Sequence, residues 1–227
     1  MEPGLGEPWY YAGVAFLDQQ KWQQAYEMLE QALMKDSGLA KAYIAQARVM
    51  AFGYGNYDEA RTMVTKGIQL GSQDEEVLIE AGRFYLDISD SKQAEQILRS
   101  ALTLKPGDLY ILVDLGRSLF AQERFAEALE IFKQASLIPT GDWQEAVAHA
   151  WLGSTYIACG KVNEALQEFK LAAQLHPADS DNFVRLGDAY RLIGDNEKAL
   201  EAYQRALSIN PGNERVLRGI LDLQEGK

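Results

Sequence analysis

A single cysteine, Cys159, stands among 227 residues, so no internal disulfide can form and the redox compartment is unconstrained. No histidine or basic residue adjoins it among Tyr156, Ile157 and Ala158, and it reads as a small packed residue rather than a reactive thiol. Histidine is almost as scarce. His149 lies within a helical segment and His176 precedes Pro177; neither belongs to an HExxH motif or stands at ligand spacing from the cysteine, so no metal or cofactor site is expected. Glycine-rich phosphate loops are missing, since Gly53-Tyr54-Gly55 follows no strand. Carboxylates such as Asp74, Glu75 and Glu76 read as first-turn residues favoured by the helix dipole rather than as acid/base pairs. The expectation is a chain that is not an enzyme.

Positive charge is also in short supply. There are 22 Lys and Arg against 33 Asp and Glu, a formal net charge of −11 spread evenly along the chain. That balance argues against sequence-independent nucleic-acid binding and against docking on anionic lipid. No apolar run is long enough to span a membrane, so no direct membrane insertion is expected. The opening MEPGLGEPWYY lacks the regions of a signal peptide; it reads as a short arm or as a piece cut from a longer chain, and localisation stays open, with the cytoplasm only a default. Strand alternation is absent.

What the chain does have is amphipathic helix pairs. In residues 180–213 the first helix carries Phe183, Leu186, Gly187 and Tyr190, and the second carries Ala199, Ala202, Tyr203, Ala206 and Leu207. These recur at the three- and four-residue spacing of one helix face. Gly194-Asp195 separates the two, and Asn210-Pro211-Gly212 ends the pair. At positions 34 residues earlier, Gly153, Tyr156, Ala165, Phe169, Ala172 and Pro177 repeat the set. The frame continues upstream in six units: 6–39, 41–74, 75–108, 109–142, 146–179 and 180–213. Ala40 is one extra residue, and Trp143, Gln144 and Glu145 are three. Every unit has alanine in its second helix, Ala25, Ala60, Ala94, Ala128, Ala165 and Ala199. Glycine recurs in the first helix at Gly13, Gly82, Gly116, Gly153 and Gly187, with Arg48 breaking the rule in the second unit. Such positions mark helix crossings too close for a larger side chain.

This pattern resembles the tetratricopeptide repeat family over about nine tenths of the chain. The resemblance implies an all-α fold, a right-handed superhelical solenoid of antiparallel helix pairs read as one elongated domain. Residues 1–5 would be a flexible lead-in, and 214–227 a capping helix with Val216, Leu217, Ile220, Leu221 and Leu223 on its face. The segment Ile138 to Glu145 reads as an inserted loop, with Trp143 an anchor if exposed.

In the proteins it resembles, first helices line a concave wall and present fixed positions to a ligand. Carried over, these are Tyr10, Val14, Val49 and Phe52; Ile79, Arg83 and Leu86; Tyr110, Val113, Arg117 and Phe120; and Ser154 and Ile157. The resemblance therefore implies an interaction module or scaffold. Its partner would be a protein or peptide with apolar anchors, joined by a carboxylate near Arg83 and Arg117 unless those arginines pair with neighbours such as Asp87 and Asp114. Tyr10, Val14, Gln46 and Glu80 stand where one branch of the family has a lysine/asparagine/arginine clamp, which disfavours capture of an acidic chaperone tail. Two alternatives stay open. The chain is an accessory tail of a larger enzyme or membrane protein, such as a glycosyltransferase, polysaccharide polymerase or signalling protein; or it self-associates through the uncapped first unit, where Trp9, Tyr10 and Tyr11 cluster.

Overall fold

The computed structural model describes residues 5–224; most of the expected lead-in and the last three residues of the expected cap lie outside them. Among the described residues every regular element is helical, so the fold is all-α. The chain divides into two compact units, Met1–Pro106 and Gly107–Lys227.

The first unit holds α1 (Glu7–Asp18), α2 (Trp22–Lys35), α3 (Ala40–Arg48, continued by a π-helical turn at Val49–Gly53), α4 (Tyr57–Leu70), α5 (Glu75–Asp87) and α6 (Ser91–Leu104). The second holds α7 (Leu109–Ala121), α8 (Phe125–Ser136), α9 (Trp143–Ala158), α10 (Val162–Leu175), α11 (Ser180–Leu192), α12 (Asn196–Ile209) and α13 (Glu214–Gln224). Each odd-numbered helix up to α11 packs on the next, making six hairpins.

Local chemistry fixes the ends. Asp74 and Asp108 each use one carboxylate oxygen to accept two backbone N–H groups at the start of α5 and α7, and Asp142 and Asp179 cap α9 and α11. Every hairpin then turns through one residue of positive φ at the same point: Gln20, Gly55, Ser89, Glu123, Gly160 and Gly194. The following N–H reaches back to close the helix, as in Asp90 N to Tyr85 O at 2.8 Å.

The second repeat corrects the sequence register. Its first helix begins at Ala40, so Ala40 is not a spacer. The extra residue is absorbed in the π-turn, where Asn56 N reaches Met50 O, one residue further back than in the other hairpins. Counted from Ala40, the small position holds fully buried Ala47, and Arg48 breaks no rule. Facing residues compensate in size. A methyl on Gly116 would lie 2.5 Å from the Phe132 ring and one on Gly187 2.5 Å from Tyr203, whereas the second repeat has Ala47 with the smaller Val64 in the ring's place. Further along, Ile44 takes the room that glycine leaves at Gly67, where a methyl would lie 2.6 Å from its Cδ1.

Two further expectations change. Trp143, Gln144 and Glu145 extend α9 by a turn instead of forming a loop, because Asp142 caps the helix there. Glu145 folds back to accept the N–H groups of Thr140 and Gly141. On α13, Val216, Ile220 and Leu223 pack against Tyr203 and its neighbours, while Leu217 and Leu221 are exposed. A helix this short presents one stripe to its hairpin, and those two leucines lie beside it.

Candidate interaction surfaces

Second helices and the small positions use up one face of each first helix, so the remaining faces carry whatever surface the repeats offer. In the first unit, Val49 is fully buried with Ala25, Leu29 and Ala32 of the first hairpin. It therefore presents nothing to a ligand, and the register shift is the reason. Tyr10 and Val14 are half-buried against the same cluster. Phe52 keeps 38% of its surface exposed, its ring 6.4 Å from buried Phe84. Ile79 and Leu86 are half-buried.

The corrected register brings forward Arg48, which sequence reasoning had set aside. It stands at the position that Arg83 holds in the next repeat, and Glu80 lies between them, 3.8 Å from Arg48 and 3.0 Å from Arg83. Arg48 also reaches Asp87 at 3.2 Å. The signal available in the sequence was Ala47, a small residue one place before the assigned position.

In the second unit one stripe of α7 carries Tyr110, Val113, Arg117 and Phe120. Tyr110 is 40% exposed and Val113 only 7%. Arg117 donates to Asp114 at 2.8 Å and lies over the Trp151 ring at 5.8 Å. Phe120 meets Phe125 and Trp151 edge-on, at 5.1 and 5.5 Å. Trp151 also stacks on Phe132, so it joins core to surface; its place in the repeat gave it no weight in the sequence. Ser154 spends its hydroxyl on Ala150 O, and Ile157 packs with Leu166 and Phe169.

Residues weighed for chemistry behave structurally. His149 is buried, with Nδ1 2.7 Å from Glu168 and Nε2 4.0 Å from Glu145, which ties α9 to α10. Cys159 is exposed, contrary to the packed reading, because it caps the end of α9 beside the turn. Trp143 is 52% exposed. Among the described residues no group of three or more His, Cys, Asp or Glu is arranged to hold a metal ion, and no helix is long and apolar enough to cross a membrane.

Successive helix hairpins with a small-residue crossing in each define a helical-repeat protein. Family models described as tetratricopeptide repeat match residues 78–150, 146–179 and 183–213, together more than half of the chain, and the chain belongs to that family. It is 26% identical over 173 residues to the mouse (Mus musculus) BBSome complex member BBS4, covering 74% of this chain and 32% of that protein. To the cellulose synthase operon protein C of Xanthomonas axonopodis pv. citri it is 31% identical over 212 residues, 89% of this chain and 14% of that protein. The chain thus spans a third or less of these relatives. Among solved structures, the type IV pilus biogenesis factor PilW superposes with a TM-score of 0.81 at 16% identity, covering 96% of this chain and 99% of that one.

Proposed function

We propose that the chain is a non-catalytic interaction module that holds an extended or helical segment of another protein on its first-helix faces. The observation that carries this is the α7 stripe. Tyr110 stands 40% exposed on a first-helix face where Arg117 and Phe120 are fixed by Asp114 and Trp151, and an exposed tyrosine beside ordered neighbours has the form of a binding anchor. Phe52 is the corresponding candidate in the first unit. Membership of a named complex by the relative BBS4 is in keeping with a protein partner. A photo-crosslinking residue placed at Tyr110 or Phe52, in the cells that make the chain, should capture a defined polypeptide. The same residue at exposed Leu171 on α10 should capture none. Equal capture from Leu171, or none from either face, refutes the reading.

The accessory-segment alternative is favoured by one finding, the 31% identity to a protein of which this chain would be 14%. Self-association through the first hairpin is in keeping with Trp9 and Tyr11, 38% and 64% exposed. Light scattering that reports a monomer at every concentration would dismiss it.

A further inference from the structure

The first unit contains an open cleft of about 390 Å³, within the range of small-ligand sites. It lies at the entry ends of α1, α3 and α5, shares Tyr10 with the first-helix residues carried over from the family pattern, and is lined by Glu7, Tyr10, Tyr11, Asp36, Lys41 and Asp74. Two glycines let its walls close. A methyl on Gly6 would lie 2.6 Å from Ala32 O and 3.0 Å from the Asp36 Cβ, so the start of α1 is pressed onto the end of α2. One on Gly71 would lie 3.0 Å from the Ala40 Cβ. Both glycines are buried.

The charges of the lining do not balance. Three carboxylates face one ammonium, and Lys41 is already engaged by Glu76 beside the cleft. Burial works against the Lys41 cation, but the hydrogen bond and charge of Glu76 outweigh it and hold its pKa above the ordinary value. Asp36 and Asp74 each spend an oxygen on backbone N–H groups, at Gly38 and at Glu76 and Val77. That fixes their orientation without neutralising them. Tyr10 and Tyr11 stand 5.2 Å apart with rings tilted by 60°. Burial raises the Tyr10 pKa, so its phenol stays neutral and can accept a hydrogen bond. Two aromatic faces beside surplus negative charge are suited to a cation on an alkyl stem, whose methylenes lie on the rings while its head meets the carboxylates.

We infer that this cleft is a subsite for a lysine or arginine side chain presented by a protein partner. The inference rests on the reading of the chain as a protein-binding module and gives that partner a basic residue. Titration of ¹⁵N-labelled protein with N-acetyl-lysine N-methylamide should produce saturable shifts at the Gly38, Lys41 and Gly71 amides. The norleucine analogue, equal in stem but uncharged, should produce none. The double substitution Glu7→Gln and Asp36→Asn, which keeps an acceptor for the Gly38 N–H, should weaken the lysine probe at least about fivefold. Equal shifts with the norleucine probe or with ammonium chloride at matched ionic strength, no saturable shift, or unchanged affinity in the double variant would each overturn the inference. No natural partner enters this titration, so its failure is separate from failure of the cross-links at positions 52 and 110.

Discussion

Gly116→Ala tests the claim that hairpin geometry is set by a missing methyl. The new Cβ would meet three Phe132 ring atoms, at 2.5, 2.7 and 2.8 Å. Phe132 is fully buried and stacks on Trp151 with centroids 5.9 Å apart and planes 7° apart, so the ring cannot swing aside. Overpacking of this kind costs about 1–3 kcal/mol, and the fixed ring argues for the upper end. Alanine returns about 1 kcal/mol of helix propensity, which leaves a net loss of about 2 kcal/mol. Phe132→Leu alone should cost roughly 1–1.5 kcal/mol, and the double variant should lose at least about 1 kcal/mol less than the sum, since contacting residues couple. Urea denaturation followed by circular dichroism gives the energies. Hydrogen exchange should place the loss of protection in α7 and α8 and leave α1 and α2 unchanged, as nearest-neighbour stability in repeats requires. Additivity within about 0.5 kcal/mol, or a stabilised Gly116→Ala, would refute the argument.

Three other contacts give further outcomes. Asp188 accepts the Tyr203 hydroxyl at 2.6 Å and pairs with Arg215 of α13; Asp188→Ala should therefore cost about 1–3 kcal/mol and speed amide exchange in α13, with α7 unaffected. The Thr140 hydroxyl and then the Gln144 N–H hold the Asp142 carboxyl below its ordinary 3.8. Its contribution to stability is thus present above that value and lost as pH falls through the lower folded one. Asp142→Asn, which still caps, should show a smaller stability loss on acidification below about pH 4. Exposed Cys159 should react fully with a disulfide reagent in the native chain, and protection until urea is added would contradict its placement.

Periodicity made the hairpins legible because each needs the same small and large residues at the same crossing. Helix starts were less legible: Asp74 reads as a first-turn residue in the sequence but is the N-cap of α5, the place that Asp108 and Asp179 take on α7 and α11. What escaped was the effect of single insertions. Ala40 looks like a spacer when Arg48 is aligned with the glycines; Ala47 was the sequence signal of the other register, and the hydrogen bond from Asn56 to Met50 shows that the helix absorbs the extra residue as a π-turn. Trp143 escaped for the opposite reason. Three extra residues read as a loop unless Asp142 is credited with extending the helix backwards. The candidate surface was less legible than the fold: a family position predicts direction from the helix axis, but not whether the side chain there is taken by its own neighbours.

That distinction decides what the arginines can recognise. Asp114 is only 4% exposed and is paired with Arg117 at 2.8 Å. A ligand carboxylate drawing Arg117 away would have to compete with the nearly buried Asp114 carboxylate, so much of what it gained would be offset by the pairing it displaced. Replacing Arg117 with glutamate would set two carboxylates together there, so loss of binding in that variant would report damage to α7 rather than loss of a contact. In the first unit Arg48 and Arg83 share Glu80, and Arg48 reaches Asp87 as well, so an acidic ligand would compete with carboxylates already in place. A carboxylate anchor near Arg83 and Arg117 is therefore the weakest part of the expectation drawn from the family pattern. Exposed aromatics such as Tyr110 and Phe52 offer affinity without breaking an ion pair. A chain of net charge −11 has most to gain from a partner of opposite sign, through association rate and orientation as much as through affinity.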